Sequence, residues 1–372
     1  MKLLFLGGAG AMAKAILPLM RDDEVFEHVT IADLSAPVAT ERAKEFGDKF
    51  SGIAVDATNH DALVKVMKDH DMAMSFVGPS YFFEAKIGKA AVDAGINYIS
   101  IADDYDAFLA VHDLDDDAAR AGNKILTGFG NSPGLTQILA KKGYHSMDTP
   151  EEISVNWAGG SNEEIGPANI LHVMHLMTGT TLQWRDYQAE RVPCGGGRKV
   201  VDFPAPIGRI PVFYTGHAES VTLPRYLKGL KDVYLHGGSA PAWIFPFVAK
   251  LAKIGLTKTH ERRMRTLKFI TPFLPLFSSK KDPDKSVGRV EVTGKHEGNP
   301  VRSTYTYVGH IARITSLPCY LAAKWCAQGK FDDKPGGVYP PERLIDDYEA
   351  FLAELSGLGL EMDLSHEREA IT

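Results

Sequence analysis

The chain has 372 residues, 44% hydrophobic and 24% charged, enough for a large core and more than one domain of ordinary size. A formal net charge of −6 gives no basic footprint for a phosphate backbone, which argues against nucleic acid and leaves a small molecule as the expected partner. Three cysteines, Cys194, Cys319 and Cys326, show no C-x-x-C spacing, which speaks against a disulfide framework or zinc site and for a reducing compartment, the cytoplasm. The first apolar run, residues 3–6, is strand-length and leads into glycines, so no secretory leader is expected there. Short apolar runs at 2–6, 29–32, 52–55, 72–77, 97–101 and 124–126 alternate with five helical patterns. That rhythm forces right-handed crossovers, hence an α/β, doubly wound parallel sheet of the dinucleotide-binding kind over residues 1–130.

The cluster Gly128-Phe129-Gly130-Asn131-Ser132-Pro133-Gly134 marks a crossing into a second domain. Over residues 131–310 the pattern becomes α+β, with strands expected at 153–157, 199–203, 212–214, 233–236, 288–293 and 301–307 in a mixed or antiparallel sheet. Helices are expected at 168–177, 242–254, 261–270, 316–328 and 341–355. Residues 311–372 are expected to be a C-terminal helical segment. Between Trp243 and Phe277 the chain is apolar and aromatic, but Lys250, Lys253, Lys258, Arg262, Arg263 and Lys268 interrupt it. No transmembrane segment is predicted; amphipathic helices that close a pocket or a dimer interface, or a membrane-surface patch, fit this composition.

The run Gly8-Ala9-Gly10-Ala11-Met12-Ala13 is a G-x-G-x-x-A between the first strand and a helical pattern, the context a phosphate loop needs. Gly8 is expected to make the tight turn, Gly10 to admit a pyrophosphate, and Ala13 to let the helix pack close. N–H groups around Ala11 and Met12, with the positive end of the helix dipole, would hold the phosphates. The second strand ends at Asp33, about 20 residues on, where a carboxylate accepts the ribose hydroxyls. Asp33 also repels a 2′-phosphate, and Leu34-Ser35-Ala36 offers no arginine, so NAD is expected over NADP, with Arg42 the nearest guanidinium in sequence. Ligands in such sheets lie beyond the carboxyl ends of the strands. This adds Asp56 and Ala57, toward adenine, and Val77, Gly78 and Pro79, toward nicotinamide; Asp56 is equally suited to capping the next helix.

Four stretches together resemble the saccharopine dehydrogenase-like family, which includes lysine 6-dehydrogenase and carboxynorspermidine dehydrogenase. They are the glycine loop, Pro133-Gly134-Leu135-Thr136, His217-Ala218-Glu219-Ser220-Val221-Thr222-Leu223-Pro224, and Gly337-Val338-Tyr339-Pro340-Pro341-Glu342. The resemblance implies a Rossmann domain, an inserted α+β domain that binds substrate and often makes a homodimer, and a C-terminal helical stretch that returns to the first domain. It also implies NAD(P)-dependent hydride transfer at a CH–NH carbon of an amino-acid, polyamine or opine-like substrate. One departure stands out: family members often carry an acid at the end of the fifth strand, in Tyr-Val-Asp or Tyr-Ile-Asp, where this chain has Tyr98-Ile99-Ser100 followed by Asp103-Asp104-Tyr105-Asp106.

Such chemistry asks the protein to position substrate and move one proton. His217 is the first candidate, with Glu219 on the same side if the segment is extended. Asp103 and Tyr105 follow the fifth strand and are suited to orienting an amine, or to capping a helix. Asn131 and Thr136 flank the Pro133-Gly134 turn and can hydrogen-bond substrate, and Arg225 can fork onto a carboxylate. His172 and His175 stand one helical turn apart, but no third ligand is near in sequence and no metal is expected. Two rival readings are an aldehyde or alcohol dehydrogenase using Cys194 or Tyr105, and an NAD(H)-binding sensor without catalysis.

Overall fold

The computed structural model of the chain describes residues 1–276, 279–364 and 369–370. It divides into two compact units, residues 1–134 with 315–344, and residues 135–314 with 345–372. Phe277, the end of the apolar stretch noted above, lies outside the described residues.

The first unit carries a seven-stranded sheet. Its strands are β1 (Lys2–Leu6), β2 (His28–Asp33), β3 (Phe50–Ala54), β4 (Met72–Ser75), β5 (Asn97–Ser100), β6 (Lys124–Leu126) and a late strand, Gly337–Tyr339. Read from one edge they run Gly337–Tyr339, β6, β5, β4, β1, β2, β3, all parallel. Leu3, Leu4, Phe5 and Leu6 are all buried, as expected of a central parallel strand covered on both faces, whose sequence is continuously apolar. Order reverses beside β1, which pairs with β2 on one side and β4 on the other, the switch point where such sheets open a crevice. From Thr315 onward the helix Ile311–Ala327 belongs to this unit: Ser316 Oγ donates to the Met12 carbonyl (2.7 Å) and Tyr320 OH to Asp23 (2.7 Å).

The second unit is α+β. Its strands are β7 (Thr149–Gly160), β8 (Thr180–Arg185), β9 (Gln188–Pro193), β10 (Lys199–Asp202), β11 (Arg209–Tyr214), β12 (Asp232–Ala240), β13 (Ser286–His296) and β14 (Asn299–Gly309). The mixed sheet runs β10, β11, β12, β7, β13, β14 and then Glu361–Asp363, with β12 and β7 parallel and β7, β13 and β14 antiparallel. The expected hairpin turn after His296 is present: Glu297 and Gly298 take φ of 50° and 77°, the left-handed pair a two-residue turn of matching twist requires. The β8–β9 hairpin closes the same way at Asp186 and Tyr187 (φ 46° and 66°).

Two elements differ from expectation. The C-terminal segment divides between the units: Gly337–Tyr339 pairs with β6, whereas the helix Tyr348–Gly357 and the strand Glu361–Asp363 go with the second. The pattern 341–355 is two helices, Pro341–Leu344 and Tyr348–Gly357, with Asp347 accepting the Ala350 N–H as the second one's cap (3.0 Å). Among the described residues no helix is long and apolar enough to cross a membrane.

Candidate active site

In the first unit the site begins where β1 runs out. Gly7, not Gly8, makes the tight turn: its φ is +72° and a Cβ there would stand 3.0 Å from the Phe76 carbonyl. Its N–H donates to the Ala32 carbonyl (2.8 Å) and its own carbonyl accepts the Gly10 N–H (3.0 Å). Gly8 is instead packed close against the Phe5 ring. Gly10 is exposed, and a Cβ on it would meet only the Gly7 carbonyl, at 3.2 Å, before open space. That is the cradle a pyrophosphate needs, so the loop fits a dinucleotide.

The helix expected directly behind the loop starts late: Ala13–Ala15 is a 3-10 turn and the α-helix Leu17–Asp22 follows only after Ile16. The loop N–H groups around Ala11 and Met12, more than a helix dipole, are thus what this turn can offer an anion. Ala13 is fully buried, as a small residue packed under the loop should be.

Asp33 ends β2, half-buried, and accepts the Ser35 N–H (3.3 Å). Arg42 is held by Glu45 (2.5 Å). Asp56 is exposed and accepts both the Thr58 N–H (2.8 Å) and hydroxyl (2.7 Å), which hold its carboxyl below the ordinary range; the cap of the next helix is Asn59. Ala57 and Val77 pack against the sheet's core cluster. Gly78 leads into Pro79, the N-cap residue of the helix Ser80–Ala94.

Asp103 and Asp104 converge on the start of that helix. Ser80 Oγ lies within hydrogen-bond distance of both carboxylates, at 2.7 Å from Asp104, whose second contact is the Tyr81 N–H (3.0 Å). A hydroxyl has one proton to give, so Ser80 serves one of the two at a time. Asp104 is buried and occupies the N-cap position of the helix Tyr105–His112 without a side-chain capping bond, its carboxylate turned to Ser80 and Tyr81 instead, and Asp103 is the half-buried acid beside it. Asn131 lies in the turn closed by the Gly130 N–H on the Pro133 carbonyl (3.1 Å).

In the second unit the segment around His217 is not extended. Glu219 is the first residue of a helix, Glu219–Tyr226, with Ala218 as its cap, so the alternation argument for pairing His217 with Glu219 does not apply. Each instead meets partners far away in sequence. His217 is 3% exposed, stacked on Trp157 (centroids 5.0 Å, planes 3° apart) and on His172 (5.0 Å, 29°), with the two Nε2 atoms 3.0 Å apart. Glu219 is fully buried and accepts the Thr136 hydroxyl (2.7 Å), while Gln137 donates to Thr222 Oγ1 (2.7 Å) and ties the two helix starts together. Burial, aided by the Glu219 charge, pushes the buried Tyr307 phenol well above its ordinary value, so it stays protonated. Close by, the Trp157 indole N–H and the Thr215 hydroxyl are buried without a hydrogen-bond partner among the described residues, polar atoms of the kind a bound ligand satisfies.

Arg225 lies in the last turn of the same helix, solvent-exposed. Cys194 follows β9, half-buried, its N–H on the Gly179 carbonyl (3.0 Å). His172, Trp157 and Tyr307 were not legible as partners of His217 and Glu219 because they come from a helix and two strands distant in sequence; the only hint was His172 itself, weighed as a metal ligand.

Residues 3–126 match the family model described as saccharopine dehydrogenase NADP binding domain. A stretch of 144 residues, 38% of this chain, is 26% identical to the NADP(+), L-glutamate-forming saccharopine dehydrogenase of Saccharomyces cerevisiae, and spans 30% of that protein, under a third of its length. The apo structure of saccharopine dehydrogenase (L-Glu forming) from Saccharomyces cerevisiae superposes with a TM-score of 0.70 at 16% identity, covering 100% of both chains. DAP dehydrogenase of C. glutamicum in complex with DAP superposes at 0.50 and 12% identity, over 95% of this chain and 98% of that one. The structural likenesses show a shared fold, a parallel Rossmann-like sheet with a second mixed-sheet unit, and residues 3–126 are similar in sequence to the saccharopine dehydrogenase NADP binding domain.

Proposed function

We propose that the chain is a nicotinamide-dependent oxidoreductase that interconverts an amine and an imine at the CH–NH carbon of an amino-acid, polyamine or opine-like substrate. The observation that carries this reading is the loop Gly7-Gly8-Ala9-Gly10, set at the switch point between β1 and β4 with an open cradle at Gly10 and Asp33 at the end of β2. When bound, the nicotinamide accepts or supplies a hydride. The loop N–H groups hold the phosphates, and Asp33 takes the ribose hydroxyls.

The family description and the yeast relative's name carry NADP, yet the residues here favour NAD. Asp33 repels a 2′-phosphate, and Arg42, the guanidinium nearest in sequence, is occupied by Glu45. In the second unit His217 moves the proton. Two imidazoles joined Nε2 to Nε2 need one donor and one acceptor, so His172 and His217 together carry at most one proton beyond their neutral forms. His217 can thus be charged only while His172 offers a lone pair, and the pair acts as a one-proton store beside the buried Glu219 and the protonated Tyr307.

The test is a fluorescence titration of the protein with NADH and NADPH, repeated on Asp33→Ser, followed by a turnover screen with amines and with keto acids plus amines. Tight NADH binding that weakens in Asp33→Ser, with turnover of a CH–NH substrate, is the expected result. Better binding of NADPH overturns the NAD assignment, and binding of neither overturns the whole reading.

A further inference from the structure

Most of the large apolar side chains that the second unit leaves in water lie in one stretch, residues 243–273. Trp243 is 45% exposed, Ile254 71%, Phe269 74% and Phe273 47%. They are placed by periodicity. Along the helix Ile244–Lys253 and its two caps, Trp243, Phe247, Lys250 and Ile254 recur at steps of four, three and four and share one outward stripe, while Phe245 and Val248 face the core. On the next helix, His260–Ile270, Arg262, Arg265 and Phe269 repeat the pattern outward while Thr266 and Leu267 are buried. Trp243 and Phe247 meet edge to face (6.0 Å), and Phe269 reaches Phe273 (6.0 Å). Monomeric proteins rarely leave such a run of aromatic and aliphatic side chains in water without a partner.

Charge identifies the partner. From Trp243 to Lys281 the chain has nine lysines and arginines and one acid, Glu261, in a protein whose net charge is −6. A second copy of the chain docked by a two-fold axis would place the same cationic patch against itself and strip water from charges with no counter-ions. A bilayer interface with anionic headgroups pairs those cations while aromatic rings and isoleucine enter the acyl boundary, the composition of helices that lie in the membrane plane. We propose that this stretch docks the protein peripherally on an anionic lipid surface, independently of the reaction assigned above.

Flotation of the full chain with vesicles tests it, using phosphatidylcholine alone or with about one phosphatidylglycerol in three lipids. Binding to the anionic vesicles should exceed binding to the neutral ones by about tenfold or more, and should fall when salt rises from about 0.1 M to about 1 M. Lys250→Glu with Lys253→Glu should weaken it by about tenfold or more, and Ile254→Ser with Phe269→Ser by about tenfold at low salt. Both variants should keep the wild-type circular dichroism and NADH titration. No flotation, or equal flotation with neutral vesicles, overturns the proposal. So does a dimer in sedimentation that Phe269→Ser dissociates, since the patch would then belong to a second copy.

Discussion

Ser100, the last residue of β5, donates its hydroxyl to Oε1 of Glu84 at 2.7 Å, and the two are buried together beneath the strand end. Thr127 donates to the same oxygen (2.7 Å) and Tyr98 to the other (2.8 Å). Where the family resemblance leads one to expect an acid on this strand, a helix, Ser80–Ala94, supplies a carboxylate from behind it. Glu84 therefore holds β5, β6 and the helix together, and the serine is not a gap in the site so much as one donor in a closed network.

Substitution at Glu84 should separate its charge from its shape. Burial raises its carboxyl above the ordinary value, with the three hydroxyls opposing. The folded state then holds the proton more tightly than the unfolded chain. This favours folding at low pH, and the contribution fades as pH rises from about 4.5 through the folded value. His236 pulls the wild type and Glu84→Gln the same way over this range, so the Glu84 contribution is read as a difference: in urea denaturation the wild type's stability relative to Glu84→Gln should decline from pH 5 to pH 8. Glu84→Leu, which strands three hydroxyls, should cost about 2–4 kcal/mol at all pH values.

Two glycines should fail in different ways. Gly134 has φ +127°, and a Cβ on it would fall 2.0 Å from the Gly130 carbonyl oxygen. Gly134→Ala should thus cost about 3 kcal/mol or more in thermal or chemical denaturation. Gly10→Val puts its side chain into open space, so stability should stay within about 1 kcal/mol. Cofactor affinity should nevertheless fall by about a hundredfold, because the methyl groups fill the cradle. Gly10→Val that binds NADH as the wild type does would remove the phosphates from this loop.

The first unit was legible because each signal is local. A parallel strand reads as an apolar run, and a glycine motif lies within one turn of chain, so β1 to β6 and the loop followed from neighbours in sequence. Which glycine turns the chain did not, since the role of Gly7 depends on Phe76, a residue on the far side of the switch point. In the second unit β8 and β9 were missed because residues 188–191 of β9 are all exposed, leaving no apolar alternation to read. The helix Glu219–Tyr226 was missed because Pro224 sits inside it and its buried face is mostly polar, Glu219, Ser220 and Thr222 beside a single apolar residue, Leu223. Those side chains are satisfied by contacts such as Thr136 on Glu219, which no periodicity encodes.

The histidine pair predicts a split between binding and turnover. His217→Asn should reduce kcat by about a hundredfold or more, the usual worth of a positioned proton-transfer group, while the NADH dissociation constant stays within about twofold. His172→Asn keeps a polar side chain beside His217 but removes the second imidazole. It should cost less in kcat and change the pH profile of kcat/KM, because His217 then titrates alone. Equal losses in both variants, with unchanged pH profiles, would make the pair a structural stack against Trp157.

His236 gives the acid limb of stability. It lies on β12, 4% exposed, with its ring 4.7 Å from that of Tyr214. Burial first, then the Lys199 and Arg185 charges, push it down to about 3, against a partial offset from a hydrogen bond with the Gly197 backbone. A histidine depressed in the folded state is charged first in the unfolded one. Its contribution is whole above about pH 6.5 and is lost as pH falls from there toward about 3. At pH 5 that loss amounts to about 2 kcal/mol relative to pH 8. His236→Phe keeps a ring beside Tyr214 and cannot be charged, so its denaturation midpoint should fall less than the wild type's between pH 8 and pH 5. Parallel decline in both would place the acid sensitivity elsewhere than on this ring.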